Sequence, residues 1–590
     1  MKFNNIKENK AITVIALIIT IIILLILAGI SISVMTGENG LFTRAKEAKA
    51  KTEKAQIIEE IKTEILEVQS ENEGKISDNK LKEVLEKQGT VDYEEDGITI
   101  KGITTSKYEI TLEEIWNGTT EEIEETVIAD GSWDEKAKVN TPQIKNTGLI
   151  AIYYDANGNE VELTDKSSKE EWSKWYNYST DKKEWANAIT KDENGNITGY
   201  FVWIPRYEYS ISGTTVNIKF IPTTQTTVDT SEGYTYIHPA FTNNVQNGGW
   251  DKDISGFWIA KYPAGYQKNT ITNNNGTLST TIQNSGDAVV NSGKKYTNTG
   301  NYTTNALGSI STATNMSYPV FKPLTYAYNN ITISDSYTLS REIQGATNFY
   351  GLNNIDSHIA KNSEWGAVAY LTQSNYGRSG TELNINNYYT STSSPYKTEL
   401  TGVYANGTST SSTTSITSVY AYNTSIGVKG SSTGNITGIY DLNGCIWERT
   451  SGLISNGNSN LATYGASILN ETGITYSGTS VTAKTGNSTK HVTIYPYNSS
   501  SDDNLNNWTA YKNAKTSTYG YGDAILETST AGSGTTSWNS DYSYFPDASH
   551  SFFLRGGYFD GTTSAGVFAF DNTGGYQGYG YGFRAVLVAG

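Results

Sequence analysis

A run of 24 residues without a charged side chain, residues 11–34, constrains this chain more than any other feature. A helix of that length extends about 36 Å, and a bilayer core is about 30 Å thick. Lys2, Lys7 and Lys10 precede the run, and a basic flank predicts a cytoplasmic N-terminus. A cleaved signal peptide is the alternative, but its apolar region is normally only about 7–15 residues long. The run therefore predicts a single-pass membrane helix, with the C-terminal domain displayed at the cell surface.

The chain continues beyond this run as a charged segment with an apolar stripe. Ile58, Ile61 and Ile65 recur at intervals of three or four residues, which predicts an amphipathic helix. An uncharged helix that runs directly into an amphipathic one resembles the N-terminus of a type IV pilin or pseudopilin of the Gram-positive kind. The residues that carry this resemblance are 10–18 and 27–31.

The pilin resemblance divides the N-terminal region into a basic leader, residues 1–10, and a transmembrane and amphipathic helix, residues 11–72. It implies processing between Lys10 and Ala11, and contacts with other pilin subunits through the helix. The chain departs from the family at two positions. Lys10 replaces the glycine that usually precedes the processing site, and Ile15 occupies the place of the usual glutamate. A plain membrane anchor remains the alternative to a processed pilin.

Two short segments follow the helix. Residues 75–125 predict a small α+β headgroup, with a helix over residues 78–88 and a hairpin of strands 97–101 and 107–112. Residues 126–141 predict an acidic linker.

The composition restricts what the remaining region, residues 142–590, can do. A net charge of −16 argues against a nucleic-acid partner, because phosphate binding needs a basic surface. Cys445 is the only cysteine, which excludes an internal disulfide and any site with several cysteine ligands. The four histidines lie far apart without metal-ligand spacing, so neither a metal nor a cofactor is expected. Residues 267–318 and 374–435 are almost entirely Asn, Thr, Ser, Gly and Tyr, and predict long polar insertions.

Seven short motifs occur in a specific order through this region. They are FVWIPRYEY (201–209), HPAF (238–241), GFWIAKY (256–262), SEWGAVAYL (363–371), DLNGCIWERTSG (441–452), FFLRGG (552–557) and GFRAVLV (582–588). In combination they resemble the formylglycine-generating-enzyme, or sulfatase-modifying-factor, family, whose fold is a variant of the C-type lectin fold. The resemblance covers roughly residues 142–590. It implies a C-type-lectin-like domain with insertions, in a chain of the α+β class.

The resemblance does not extend to the family's chemistry. That family's oxidase activity uses a pair of cysteines near the C-terminal Arg-Gly-Gly segment, which hold copper and activate oxygen. In this chain Tyr-Phe-Asp follows residues 555–557, and no cysteine is nearby. The single thiol of Cys445 cannot make a two-thiolate copper site and is interpreted as a small core residue. The chain is therefore predicted not to be an enzyme, and a copper-dependent oxidase is the least favoured alternative.

Four charged residues within these motifs have both a catalytic and a structural interpretation. Asp441 and Glu448 are the candidates for an acid–base pair, but their positions favour hydrogen-bonding struts. Arg555 and Arg584 are likewise interpreted as structural residues that pair with such carboxylates.

The final segment, residues 554–590, places tyrosines and small polar residues between two predicted strands, 567–570 and 583–588. It resembles the C-terminus of the variable target proteins of diversity-generating retroelements, which share the lectin fold and bind ligands through randomised residues. Residue types at these positions are those reachable from asparagine codons by changing adenines. The resemblance implies ligand-binding positions at Tyr558, Phe559, Asp560, Thr562, Thr563, Ser564, Asp571, Asn572, Thr573, Tyr576, Tyr579 and Tyr581.

The predicted function is ligand binding or adhesion. A pilin-like anchor would present a tyrosine-rich, retroelement-diversified C-terminal face to a protein or glycan ligand. A structural type IV pilin or pseudopilin subunit is the alternative. The sequence leaves open whether four aromatic residues that precede the segment add to this face or support it from below: Trp538, Tyr542, Tyr544 and Phe545.

Overall fold

A computed structural model of the chain forms two compact units, Met1–Thr126 and Val127–Gly590, and each is described by itself. The residues that the structure describes are 41–71, 77–94, 99–117, 129–266, 277–278, 290–291, 294–296, 302–303, 318–329, 331–387, 400–405, 419–515, 521–535, 537–559, 561 and 564–590. Helices combine with mainly antiparallel sheets, so the predicted α+β class is confirmed.

The first unit packs helices against a three-stranded antiparallel sheet. Its elements are α1 (Leu41–Glu71), α2 (Asp78–Glu86), β1 (Thr90–Tyr93), β2 (Ile100–Thr104), β3 (Glu109–Thr111) and α3 (Leu112–Asn117). The predicted stripe of Ile58, Ile61 and Ile65 is buried and forms the core with residues of α2 and the sheet. The predicted hairpin is present as β2 and β3, several residues later than expected for its first strand. The sequence analysis missed β1, whose pairing with β2 completes the sheet.

The second unit contains most of the secondary structure. Its first half has β4 (Trp133–Asp134), β5 (Val139–Asn140), β6 (Ile150–Tyr154), β7 (Glu160–Glu162), α4 (Lys169–Trp172), β8 (Asn187–Lys191), β9 (Ile197–Pro205), β10 (Tyr207–Ser212), β11 (Thr215–Phe220), β12 (Tyr236–Ile237), β13 (Gly256–Ala260), β14 (Gly265–Tyr266), β15 (Thr277–Leu278), β16 (Val290–Asn291), β17 (Lys294–Tyr296) and β18 (Tyr302–Thr303).

Its second half has β19 (Tyr326–Ala327), α5 (Ile333–Glu342), α6 (Thr347–Tyr350), β20 (Ile355–Ile359), α7 (Asn362–Gln373), β21 (Val403–Ala405), β22 (Val419–Ala421), β23 (Trp447–Ile454), α8 (Ser459–Thr472), β24 (Thr475–Ser477), β25 (Ser480–Ala483), β26 (Thr493–Tyr495), α9 (Asn504–Ala514), β27 (Ser533–Thr535), β28 (Tyr542–Tyr544), β29 (Phe552–Arg555), β30 (Phe570–Thr573), β31 (Tyr581–Phe583) and β32 (Ala585–Ala589).

Two seven-stranded sheets organise this unit. The first is antiparallel throughout, in the order β20-β32-β13-β9-β8-β6-β7. Its central strands β9 and β13 are buried on both faces, as their continuous apolar runs require. The last strand of the chain, β32, lies between β13 and β20, where Leu587 is opposite both Trp258 and Ser357. The end of the chain is therefore a central part of the fold.

The second sheet has the order β26-β23-β29-β30-β28-β27, and β31 pairs with β23. Because only Arg584 separates β31 from β32, the chain passes from the second sheet to the first within one residue. The predicted strand 583–588 is thus divided between the two sheets.

The predicted strand over residues 567–570 is wrong. The strand at this place is β30, which begins at Phe570. Its predicted first residues form a turn, in which the Ala569 amide donates to the Gly566 carbonyl at 3.0 Å. The Phe568 amide donates to the Asp541 carboxylate at 2.9 Å. A Cβ atom on Gly566 would lie 2.0 Å from that carboxylate, so the turn requires glycine there.

A buried ion pair holds the junction of the two sheets. The Arg584 guanidinium donates to both oxygens of Glu448, from Nε at 2.9 Å and from Nη2 at 2.7 Å. It also donates to the carbonyl of Ala260 at 2.7 Å and to that of Tyr440 at 2.8 Å. Both partners are buried, so every contact is made away from water. The structural interpretation of Glu448 and Arg584 is therefore correct.

The other two charged residues of the motifs are also structural. Asp441 accepts hydrogen bonds from the Asn386 side chain at 2.8 Å, the Gly402 amide at 2.7 Å and the Tyr404 hydroxyl at 2.9 Å. Arg555 does not pair with either predicted carboxylate. Its guanidinium instead donates to the carbonyl oxygen of Asp523 at 3.0 Å.

The N-terminal prediction requires correction. Among the helices of the described residues, none is both long enough and apolar enough to cross a membrane. Residues 11–34, on which the prediction rests, lie outside the described residues, as do Lys10 and Ala11 at the predicted processing site. The predicted membrane helix and the single-pass, cell-surface location are corrected accordingly, and the described residues form an α+β fold.

We expect the Glu448–Arg584 pair to dominate the stability of the second unit. Replacing Arg584→Met should cost roughly 3–5 kcal/mol, because it leaves the Glu448 carboxylate buried without its partner. The matched control is Lys174→Met, which removes an exposed partner of Glu170 and should cost at most about 0.5 kcal/mol. Urea unfolding of the full chain, followed by near-ultraviolet circular dichroism, measures both. Equal unfolding midpoints for the two variants would contradict the role of the pair.

Candidate functional site

The strand register of the second sheet determines which side chains share its two faces. Arg449 on β23 is opposite Leu554 on β29, and Leu554 is opposite Asp571 on β30. Side chains directly opposite each other point to the same face, and alternate residues of one strand point to opposite faces. Phe570 is paired with Ser543 of β28 and points the other way. The two neighbours of Ser543, Tyr542 and Tyr544, therefore share a face with Asp571.

One face of this sheet carries a buried aromatic cluster. Its side chains Phe553 and Phe570 pack with Tyr495, Tyr511 and Phe545 in a dense aromatic cluster. The rings of Phe545 and Phe553 meet edge to face at 5.2 Å between centroids. Packing of this kind keeps the sheet rigid.

The opposite face carries a small, separate apolar cluster. Trp447, Leu554 and Ala569 form its buried floor. Tyrosine rings pack around this floor and remain half-exposed at their outer edges. We call the surface made by Tyr542, Tyr544, Tyr558, Asp571, Tyr576 and Tyr581 the tyrosine face, and we include half-buried Tyr579 because it lies in the loop between Tyr576 and Tyr581.

The rings of the tyrosine face support each other. Tyr542 and Tyr544 stack at 6.0 Å with an interplanar angle of 15°. Tyr576 meets Tyr581 edge to face at 6.0 Å, and Tyr464 of α8 meets Tyr576 at 6.2 Å. Tyr576 is the most open of the set, with 37% of its surface exposed. These contacts orient the rings before any ligand is present.

Arg449 holds the loop that carries Tyr576. Its buried guanidinium lies 5.0 Å from the centroid of the Tyr581 ring, a cation–π contact. It donates to the carbonyl oxygens of Tyr576 and Ile331. Burial lowers the pKa of Arg449 to about 10, which still leaves it charged at neutral pH. A cation beneath the loop thus fixes the path of the backbone between β30 and β31.

Asp571 is the carboxylate within the tyrosine face. One of its oxygens accepts a hydrogen bond from the Asn572 amide at 2.8 Å. Burial, with a smaller contribution from the Asp547 carboxylate, raises the pKa of Asp571 to about 7. Burial also raises the pKa of Tyr542 to about 12, and the charge of Asp571 adds to that shift. The Asp571 side chain is therefore close to half ionised at neutral pH.

The structure brings together some of the predicted site residues and separates others. Tyr558, Asp571, Tyr576, Tyr579 and Tyr581 belong to the tyrosine face, and half-buried Ser564 lies in the turn that precedes β30. Asp560, Thr562 and Thr563 lie outside the described residues.

Three predicted residues do not belong to the face. Phe559 and Thr573 are each only 1% exposed. Asn572 points to the other side of the sheet, where its amide donates to the Phe545 carbonyl at 3.0 Å and to Asp547 at 3.2 Å. The sequence analysis treated the segment as a continuous surface, whereas the strand alternation of β30 exposes only some of its positions.

The aromatic residues before the segment, left open in the sequence analysis, divide into two pairs. Tyr542 and Tyr544 add to the tyrosine face. Trp538 packs on Phe568 at 5.0 Å between ring centroids, and Phe545 is fully buried. In the sequence, the alternation Tyr-Ser-Tyr at residues 542–544 indicates that the two tyrosines share a face. Trp447 and Arg449 of the same surface were missed, because a buried strand gives no such signal.

The candidate groups for chemistry are buried elsewhere. The Cys445 thiol is fully buried beside Ala327 and Ile446, as a small core residue. His358 and His491, distant in sequence, approach to 5.5 Å between ring centroids and contact the carboxylates of Glu364 and Asp356. In the part of the chain that the structure describes, no group of three or more His, Cys, Asp or Glu side chains is arranged to hold a metal.

Comparison with known proteins leaves the family assignments as predictions. No protein-family model matches the chain, and no curated protein matches its sequence.

The raised pKa of Asp571 predicts a pH-dependent effect on stability. The folded state favours the protonated acid, so ionisation destabilises the fold as the pH rises from about 4 towards 7. Asp571→Asn should therefore leave the free energy of unfolding nearly unchanged at pH 4 and raise it at pH 8. The gain is on the order of 1–2 kcal/mol, because contact with water reduces the full electrostatic cost.

Thermal unfolding at the two pH values measures this difference. Exposed Asp165→Asn is the matched control and should show no comparable gain at pH 8. A gain for Asp571→Asn of the same size at both pH values would contradict the electrostatic origin.

Proposed function

We propose that the second unit is a binding module that recognises a protein or glycan ligand through the tyrosine face. The observation that carries this proposal is a set of half-exposed tyrosines held by a rigid sheet over their own apolar floor. An ordinary solvent-facing sheet surface would carry charged and small polar side chains at these positions. Six aromatic rings on one surface favour recognition instead.

Physical reasoning favours tyrosine for this task. A tyrosine ring offers a large apolar surface and one hydroxyl, and it loses little rotamer freedom on binding. The stacked pair Tyr542–Tyr544 and the edge-to-face pair Tyr576–Tyr581 are already oriented. Binding therefore requires less ordering than it would on a flexible loop, and more of the contact energy is available for affinity.

The resemblance to the C-type-lectin-like family supports the same proposal. The variable target proteins of diversity-generating retroelements, which share that fold, bind ligands through their last C-terminal stretch, and the corresponding segment here contains β30, β31 and β32. The proposal includes no oxidase activity. The sequence lacks the second cysteine that the family's copper site needs, and the one thiol, Cys445, is buried.

A binding experiment tests the proposal. The full chain is applied to glycan and peptide arrays, and the ligands found are titrated by calorimetry against Tyr576→Ala/Tyr579→Ala. Loss of these two rings should weaken binding at least roughly tenfold, since truncating one central aromatic residue often costs more than about 1 kcal/mol. The matched control, Tyr476→Ala/Tyr497→Ala, removes two half-buried tyrosines elsewhere in the unit and should bind normally.

Two outcomes would count against the proposal. One is that every array ligand binds the Tyr576→Ala/Tyr579→Ala variant as tightly as the original chain. The other is that this variant melts far below the control, which would show that the two rings support the fold rather than a ligand.

We further propose that the tyrosine face is diversified, as the resemblance to retroelement target proteins implies. Natural variants of the gene should then differ at Tyr558, Asp571, Tyr576, Tyr579 and Tyr581. Buried Phe559 and Thr573 should vary far less, because substitution there disrupts packing. Sequencing the 3′ end of the gene from many isolates measures this. Uniform codons at these five positions of the tyrosine face would contradict diversification, but they would not contradict the proposal of ligand binding.

A further inference from the structure

The tyrosine face has a carboxylate next to aromatic rings. Asp571 shares its side of the sheet with Tyr542 and Tyr544 of the neighbouring strand β28. Burial raises the pKa of the Tyr542 and Tyr581 hydroxyls. The negative charge of Asp571 adds to both shifts, so the Asp571 carboxylate lies near both hydroxyls. The arrangement combines one negative charge with the electron-rich faces of several rings.

The cation nearest to this carboxylate along the sheet face is directed elsewhere. Arg449 donates to two backbone carbonyls and contacts the Tyr581 ring. Among the described residues, Asp571 makes no ion pair with a lysine, arginine or histidine. Two other buried carboxylates of this unit do have a cationic partner: Glu448 pairs with Arg584, and Glu364 pairs with Lys361.

The charged groups around this face carry both signs: the Arg449 cation lies against the Tyr581 ring, and the Asp547 carboxylate acts on Asp571. From β28 come the hydroxyls of Tyr542 and Tyr544, and from β31 that of Tyr581. Asp547 adds a second negative charge, and its carboxylate contacts the His550 ring at 3.1 Å and accepts from the Asn572 amide at 3.2 Å. From β29 the neighbour is uncharged Leu554. Asp547 lies with the Asn572 side chain on the other side of the sheet, so Asp571 is the one carboxylate that the described residues place on the tyrosine face.

We propose that the tyrosine face binds the substituted ammonium group of its ligand, with Asp571 as the counter-charge and the rings of Tyr542 and Tyr544 as the surface against which the cation lies. Aromatic faces attract cations most strongly when the cation is weakly hydrated, as a quaternary ammonium group is. The same rings offer apolar contact to its methyl groups. This inference rests on the proposed binding function and names the chemical class of the ligand.

The binding of such a cation should depend on pH. Ionised Asp571 attracts the cation, and the bound cation in turn stabilises the ionised form. Because the pKa of Asp571 is about 7 in the free protein, affinity should rise as the pH rises from 6 to 8. The quaternary ammonium itself does not titrate, so the change reports on the protein.

Saturation-transfer NMR with the full chain tests this inference, with choline chloride as the probe. Its neutral carbon isostere, 3,3-dimethylbutan-1-ol, has the same shape without the charge. Choline should receive saturation and bind at least tenfold more tightly than the isostere. The Asp571→Asn variant should bind choline at least tenfold more weakly than the original chain. The control variant Asp165→Asn, changed at an exposed site, should bind choline as tightly as the original chain does. Nα-acetyl-trimethyllysine amide carries the same trimethylammonium group on a peptide frame. Its affinity relative to that of choline distinguishes a methylated lysine of a protein from a small quaternary ammonium compound as the source of the cation.

Several results would overturn the inference. They are equal binding of choline and its isostere, undiminished binding by Asp571→Asn, and no saturation of choline at any pH. Since Asp571→Asn is expected to be no less stable than the original chain, loss of binding cannot be assigned to unfolding, and a melting curve verifies this. Array ligands that still require Tyr576 and Tyr579 would show that the proposed function survives. If choline does not bind as expected and no array ligand requires Tyr576 and Tyr579, both proposals are overturned.

Discussion

The pairing of Arg584 with Glu448 is the interaction on which the rest of the second unit depends. Arg584 is the single residue between β31 and β32, and these strands belong to different sheets. Its guanidinium binds Glu448 of one sheet and the carbonyl of Ala260 from the other. A buried bidentate pair tolerates little displacement, because each unpaired charge would be costly in a dry interior. The two sheets are thereby kept in one arrangement.

That arrangement gives the second sheet two unlike faces. One is filled by aromatic packing around Phe553 and Phe570, and the other has only a small apolar floor beneath half-exposed tyrosines. A sheet made rigid from one side can present ordered side chains on the other. Asp571 is held among these rings without an ion pair among the described residues, so the face combines apolar contact with one negative charge.

Much of the fold could be predicted from local sequence patterns. The apolar start of the motif 201–209 lies in β9, and the motif 363–371 lies in α7, because long apolar runs and local caps identify such elements. The strand predicted at residues 567–570 was wrong, since Asp541, distant in sequence, holds that stretch as a turn. The predicted membrane helix and cell-surface location were corrected, and the family resemblances stay predictions.

The sequence by itself determined that no cysteine pair is present and where the tyrosines are concentrated, because both depend only on residue identity. The single cysteine and the tyrosine-rich last segment are visible without any structure. Only the tertiary structure decided which of these residues form one surface. Pairing of β28 with β30 adds Tyr542 and Tyr544 to the face, and strand alternation removes Asn572 from it. These outcomes depend on register between distant segments, which no local pattern encodes.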